Sequence, residues 1–521
     1  MHATTEATAS HTMQFPDLHF SVLGRTGLHV SGAGFGGYRA SIGVETHRRA
    51  LEHALLSGIN VVDTSTNYAD GGSEELIGQT MLDLARSGMI NREAIVTVTK
   101  AGYIQGSNFQ DARERAESGN GFPEVVEYGD GLWHCIAPEF LNDQLTRSLE
   151  RLRMTTVDVL LLHNPEYYLG WASRNGVSVV DARAEYYRRI RNAFVYLESE
   201  VEAGRILWYG ISSNSFPHDP ESDEFTSLEE VVRIAEGISN DHHFGVIQLP
   251  GNLYESQFVT EPTQSLGRTF MEVARTKDLG VLINRPLNAI VDGGLVRLAD
   301  IGGARIDVSE TAIDEAIERI GDAEPQLAES IIASLDSDDQ TATAVREFLS
   351  VGPTMQQHWR ALGSIEQFNE IISQHFAPRL GYLGQLLRES DANELSTAYA
   401  AYLVDVRALF EMLSSHYGKH ARDRADQIRT AVAASLVEAV DGTLSSLALR
   451  MLLGVDGVDT VLVGMRREEY VDDVIGALRE GPLGDEAAWW RMQLPSPFGD
   501  ENAEQMEEFE KGAGEILDHD G

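Results

Sequence analysis

The strongest constraint on this chain is a rhythm. A segment of helical periodicity is followed by a short apolar run, and the pair recurs along the sequence: 46–56 then 59–62, 73–85 then 94–99, 138–151 then 157–162, 184–201 then 206–211, 228–235 then 245–248, 262–275 then 280–284, and 444–453 then 460–463. The runs are dense in Val, Ile and Leu with little polar alternation, as expected of strands buried on both faces. An earlier strand over 32–36 brings the set to eight. Strands joined through helices make right-handed crossovers and a parallel sheet, and eight units favour closure. The expectation is an α/β fold, a (β/α)8 TIM barrel, preceded by a small hairpin over 23–31 that turns at Thr26-Gly27.

Gly32-Ala33-Gly34-Phe35-Gly36-Gly37 has the form G-x-G-x-x-G. A dinucleotide fingerprint needs a helix opening at its last glycine. Here Tyr38-Arg39-Ala40-Ser41-Ile42-Gly43 intervenes, so a barrel strand closing in a glycine turn is the better reading. Two stretches break the rhythm. Residues 103–137 read as a glycine-rich loop carrying Tyr103, Phe109, Phe122, Tyr128 and Trp133. Residues 291–441 carry helical stripes: Ile313, Ala316, Ile317 and Ile320; a capping-box form Ser364-Ile365-Glu366-Gln367 before Phe368, Ile371 and Ile372; and Tyr402, Val406, Leu409, Phe410 and Leu413. The expected organisation is a disordered leader (1–20), the first part of the barrel (21–290), an all-helical insertion between the seventh strand and seventh helix (291–441), the rest of the barrel (442–480) and an acidic tail (481–521) with a short helix over 501–509. The stripes suit a core or a subunit interface, which allows oligomerisation through the insertion.

The net charge of −40, from 81 acidic and 41 basic residues, repels nucleic acid and anionic membrane. Lysine occurs only at Lys100, Lys277, Lys419 and Lys511, so nearly all the cations are arginine. Such a surface suits a halophilic, salt-rich cytoplasm, where screening removes most self-repulsion. The lone Cys135 excludes an internal disulfide and fits a reducing, cytoplasmic setting as a spectator thiol. No apolar run is long enough to span a bilayer. His242 and His243 are adjacent and point to opposite faces of a strand, so no metal site is expected.

In a barrel of this kind the carboxyl ends of the strands meet around one mouth. The second expected strand ends in Asp63 with Tyr68 beyond it, the third in Lys100 and the fourth in His163. A phenol is a poor acid unless its anion is stabilised, which a nearby ammonium does; a carboxylate keeps that ammonium charged and oriented. A histidine aimed at the same point can donate to a carbonyl oxygen. Together the four can move a proton on or off an oxygen while hydride moves at its carbon.

These residues and several flanking stretches resemble the aldo-keto reductase superfamily. The likeness is carried by Leu23-Gly24-Arg25-Thr26-Gly27-Leu28, by Asp63 with Tyr68, by Thr99-Lys100, by the run from Val157 through His163-Asn164-Pro165, by Gly204-Arg205-Ile206 through Gly210-Ile211-Ser212-Ser213, by Gln248 and by Val463-Gly464-Met465-Arg466. The resemblance implies an extended nicotinamide dinucleotide, NADP with NAD as the alternative, bound without a Rossmann domain. It implies Tyr68 as the acid–base residue, supported by Lys100 and Asp63, with His163 orienting a small-molecule carbonyl or sugar substrate. Ser212, Ser213 or Asn214, and Gln248 would meet the nicotinamide carboxamide. Asn284, Arg285, Pro286 and Leu287 stand where the family places a ring-stacking aromatic and pyrophosphate contacts, and Gly464 to Val474 where the adenosine phosphate lies. Arg466 suits a 2′-phosphate, because a guanidinium binds phosphate in bidentate fashion. Asn284 departs from the family's aromatic, and Ser212-Ser213-Asn214 is one residue longer than its Ser-Asn pair. The implied activity is that of an NAD(P)-dependent aldo-keto reductase, an alcohol or aldose dehydrogenase. The alternative is a dinucleotide-binding regulatory or scaffold protein whose insertion binds a partner.

Overall fold

The computed structural model describes residues 1–291, 294–300, 308–335, 339–360, 362, 365–389, 393–437 and 440–496. The chain divides into two compact units, one of Met1–Leu298 with Val432–Gln493, the other chiefly of Ala299–Ala431.

The first unit is the expected barrel. Strands β1 (Ala33–Gly36), β2 (Val61–Asp63), β3 (Val96–Ala101), β4 (Val157–His163), β5 (Ile206–Ser212), β6 (Phe244–Pro250), β7 (Gly280–Asn284) and β8 (Thr460–Val463) close into a ring in chain order. Every pairing in the ring is parallel, and β8 returns to β1. Helices α1 (Glu45–Leu56), α2 (Gly72–Arg86), α3 (Pro138–Leu152), α4 (Val179–Glu202), α5 (Leu228–Glu236), α6 (Phe270–Thr276), α7 (Leu444–Leu453) and α8 (Glu468–Glu480) each follow a strand. The α6 helix starts later than its periodicity suggests, because Thr269 and Glu272 form a reciprocal capping box there.

Strand alternation decides what fills the ring. Val61, Val96, Val98, Val159, Leu161, Val246, Leu282 and Leu462 form one buried cluster, joined from below by Leu23, Leu28 and Val30 of the hairpin Phe20–Val22/His29–Ser31. Burial of each such side chain contributes ~1.5–3 kcal/mol. The stretch expected to be a disordered leader is instead a helix, Thr5–Gln14. It has no apolar stripe to betray it; polar contacts hold it. Thr4 caps it by accepting from the Ala7 N–H, and the Ala3 N–H donates to buried Asp158 over 2.6 Å.

The stretch 103–137 is not a loop either. It folds as Tyr103–Ile104, helix Ser107–Glu117, Val126–Gly129 and Leu132–His134, the strands forming a three-stranded antiparallel sheet. Ile104, Ala112, Cys135, Ala137 and Phe140 give it a core of its own.

The large helical segment after β7 is present, though it opens on a hairpin, Asn288–Val291 with Gly294–Arg297. The second unit then carries helices Glu310–Leu335, Asp339–Phe348, Val351–His358, Ile365–Ile371 and Ala377–Glu389, and the long Asn393–Ser435 begins in it. The stripes read from the sequence meet in one core that includes Ile313, Ile317, Ile320, Phe368, Tyr402, Leu409 and Leu413. Buried Glu324 accepts from the N–H groups of Val351 and Gly352 and from the Tyr402 hydroxyl, and so caps a neighbouring helix. In the tail, Glu486–Arg491 is helical with Trp489 buried and Trp490 exposed. The capping residue Ser364 and the helix expected over 501–509 lie outside the described residues.

Gly210 is the tightest point of the ring. A Cβ there would lie 1.6 Å from the Val246 carbonyl oxygen, beside the register irregularity at Tyr209/Gly210. Gly210→Ala should therefore destabilise the barrel by at least ~3 kcal/mol, read as a lowered urea midpoint; an unchanged midpoint would contradict this packing.

Candidate active site

The inward face that packs the barrel also builds the mouth. Asp63, Lys100, His163, Gln248 and Asn284 each stand two residues beyond a core residue: Val61, Val98, Leu161, Val246 and Leu282. With a strand period of two, they continue the inward row at the carboxyl ends. Register then lines up Ser212 with both His163 and Gln248.

Lys100 is the hub. Its Nζ donates to Asp63 Oδ2 at 2.7 Å, to the Thr64 carbonyl at 2.8 Å and to the Tyr68 hydroxyl at 3.2 Å. Three donors meet three acceptors, which is what an ammonium with no solvent exposure requires. Gln248 Nε2 donates to Asp63 Oδ1 at 2.8 Å, and Gln248 Oε1 accepts from Ser212 Oγ at 3.1 Å and Asn284 Nδ2 at 3.2 Å. His163 sits edge-on to Tyr68 and Tyr103, with ring centroids 5.9 and 4.6 Å away.

The electrostatics follow from burial and these contacts. Burial pushes the Tyr68 phenol up from its ordinary value; Lys100 pulls it back and Asp63 adds to the rise. Tyr68 therefore holds its proton at neutral pH, beside a cation able to stabilise the anion left after donation. Burial favours loss of charge at both partners of the ion pair, raising Asp63, while Asp63 and Tyr68 hold the Lys100 ammonium above its usual range against that penalty. Burial, then Lys100 and His134, drive His163 well below its ordinary value, so its imidazole is neutral.

The other expected residues divide. Ser212, Gln248 and Asn284 join the Asp63 network. Ser213 turns outward to Ser215 at 3.1 Å, and Asn214 gives its backbone N–H to Glu166 at 2.7 Å. Arg285, in a left-handed conformation at φ 53°, donates to Glu255 at 2.8 Å. Buried Pro286 and half-buried Leu287 continue this turn towards the hairpin, where the Leu287 carbonyl accepts from the Leu298 N–H. Gly464 is exposed with open space where a Cβ would stand. Arg466 is half-buried near His47, with no carboxylate partner among the described residues. Sequence reasoning missed Ser65, which meets His163 Nδ1 at 2.9 Å, and His134, whose Nε2 bonds the His163 carbonyl at 2.7 Å. Ser65 lies within the stretch that carries Asp63 and Tyr68; His134 comes from the sheet that was read as a loop. Among the described residues no helix is long and apolar enough to cross a membrane, and no group of three ligating side chains could hold a metal.

The Aldo/keto reductase family profile matches residues 31–222. A putative voltage-gated potassium channel subunit beta of Schizosaccharomyces pombe is 28% identical over 164 residues, 31% of this chain and 40% of that protein. The NADH-specific methylglyoxal reductase of Escherichia coli is 28% identical over 109 residues, 20% of this chain and 27% of that one. The matches thus span well under half of either relative. Among solved structures, the holo form of aldo-keto reductase AKR11C1 from Bacillus halodurans has a TM-score of 0.45 at 15% identity, covering 92% of this chain and 97% of that one. An aldo/keto reductase of Klebsiella pneumoniae in complex with NADP and acetate has a TM-score of 0.33 at 18% identity, covering 51% and 68%. Residues 31–222 thus match an aldo/keto reductase domain, in line with the resemblance read from the sequence.

Beside the mouth, buried Glu166 carries an oxygen without a hydrogen-bond partner, and burial pushes its carboxyl up to about 7, with Glu224 adding to the rise. The unfolded value is about 4.3. The native state therefore favours the neutral acid: its stabilising contribution is complete below the unfolded value and is lost as pH rises through about 7. Glu166→Gln mimics the neutral form, so its unfolding free energy relative to the parent should rise between pH 5 and pH 8 in urea titrations. Parallel pH dependences would show that Glu166 is ionised throughout.

Proposed function

We propose that this chain is an NAD(P)H-dependent oxidoreductase acting on an aldehyde, ketone or sugar hemiacetal, with Tyr68 as general acid and base. The observation that carries the reading is the buried Lys100 ammonium bonded at once to Asp63 and Tyr68, beside a neutral histidine.

The residues present suit a dinucleotide. Asn284 Oδ1 is buried without a partner next to the Ser212–Gln248 pair, a polar set able to meet an amide. Gly464 leaves space for backbone N–H groups to approach a phosphate, and Arg466 has no competing carboxylate among the described residues. Bound there, the cofactor supplies the hydride. The protein's own part is to orient the carbonyl with His163 and to deliver the Tyr68 proton to its oxygen. Lys100 offsets the charge left on the phenolate, and Asp63 keeps Lys100 protonated and aimed. In the reverse direction the same phenolate accepts the proton of an alcohol. A strongly acidic surface supports a salt-rich, cytoplasmic working environment.

Calorimetric titration with NADPH and NADH, at low and multimolar salt, tests the frame. NADPH should bind more tightly, and Arg466→Ala should weaken NADPH by about tenfold while sparing NADH, the scale of a charged hydrogen bond. Binding of neither cofactor at any salt concentration would overturn the oxidoreductase reading and favour a scaffold role. Tyr68→Phe should lower kcat by about 10²–10⁴-fold across a panel of aldehydes and aldoses, with cofactor affinity intact. Undiminished turnover would remove Tyr68 from the mechanism.

A further inference from the structure

Polarising a carbonyl requires His163 to present an N–H, and the far side of its ring decides whether it can. The imidazole is neutral, so one proton is shared between two nitrogens. Nε2 has no hydrogen-bond partner among the described residues, while Nδ1 lies 2.9 Å from Ser65 Oγ. The bond at Nδ1 therefore sets the character of Nε2.

Ser65 is fully buried and has one proton to give. Its Oγ lies 2.7 Å from Asn67 Oδ1 and 3.3 Å from the Lys100 carbonyl, and Asn67 Nδ2 lies 2.9 Å from Gln105 Oε1. If the Ser65 proton goes to either oxygen, Oγ can only accept from His163; Nδ1 then carries the ring proton and Nε2 offers a lone pair, the wrong group for a carbonyl. The oxygen and nitrogen of an amide are isosteric, so turning over Asn67 and Gln105 keeps the heavy-atom contacts and reverses the chain. Asn67 then donates to Ser65, Ser65 donates to Nδ1, and Nε2 keeps its hydrogen.

We propose that Asn67, backed by Gln105 and acting through Ser65, sets which nitrogen of His163 carries the proton and holds it on Nε2. That the proton lies on Nε2, and its catalytic consequence, rest on the oxidoreductase reading, because a carbonyl needs an N–H; that Asn67 sets its position through Ser65 rests on the Asn67–Ser65–His163 contacts. Asn67 is a positioning residue. Asn67→Asp tests it at nearly constant shape, because a carboxylate only accepts. Ser65 must then donate to Asp, and Nδ1 must donate to Ser65.

The experiment uses the full chain labelled with ¹⁵N-histidine, the His163 signals being assigned by their loss in His163→Gln. The ring-nitrogen shifts should show Nε2 protonated in the parent and Nδ1 protonated in N67D, with kcat lowered by about 10²-fold and cofactor affinity and unfolding midpoint unchanged. In a Ser65→Ala background the link is cut, so N67D should no longer change the ring. A parent protonated on Nδ1, or an unchanged tautomer in N67D, overturns the proposal. If the tautomer switches and kcat holds, the proposal stands and the carbonyl-orienting role of His163 falls.

Discussion

The structure at the barrel mouth depends on one buried cation. Removing an ammonium from water costs several kcal/mol unless its donors are matched. Lys100 has no exposed surface, and it meets a carboxylate, a backbone carbonyl and a phenol. Each partner has to be delivered separately. Pairing of Asp63 with Val98 brings the carboxylate alongside β3. The Thr64 carbonyl is set by a close turn: the Gly37 N–H donates to the Asp63 carbonyl at 2.7 Å, and a Cβ at Gly37 would also stand 2.7 Å from that oxygen. Tyr68 opens a short 3-10 turn whose Ala69 and Asp70 have left-handed φ, and Ser107 pins Asp70 from the antiparallel subdomain. The glycine motif that resembles a dinucleotide fingerprint thus serves close packing behind Asp63.

Much of this was legible because one period governs both the core and the site. Apolar runs buried on both faces mark the strands, and the last inward position of β2, β3 and β4 is where Asp63, Lys100 and His163 fall. Lys100 stood out because lysine is so rare in the chain. The stripes of the helical segment were readable for the same reason, since Ile313, Ile317 and Ile320 recur at helical spacing and are buried together.

What was hidden lacks a period. The N-terminal helix has a polar sequence and is held by Asp158, which no pattern links to residue 3. The 103–137 subdomain is built from strands of two to four residues, too short for alternation to show. Its fold nonetheless reaches the site, because it carries His134 to the His163 carbonyl and Tyr103 against the His163 ring. Polar networks are equally silent in sequence. No pattern in the sequence links Gln248 to Asp63, yet its amide nitrogen donates to that carboxylate.

That last contact joins the two halves of the mouth. Asp63 gives Oδ2 to the lysine that supports Tyr68 and Oδ1 to the glutamine that gathers Ser212 and Asn284. In a buried carboxylate the two oxygens share one charge, and a donor on one weakens the pull of the other. A ligand that draws the Gln248 amide away from Asp63 must therefore leave more of that charge facing Lys100. Lys100 would then be held more firmly as an ammonium, while the same carboxylate charge opposes an anion at Tyr68, whose phenol Asp63 already pushes up. The same carboxylate that keeps the cation in place thus ties the Lys100–Tyr68 side of the mouth to the Ser212–Gln248–Asn284 side.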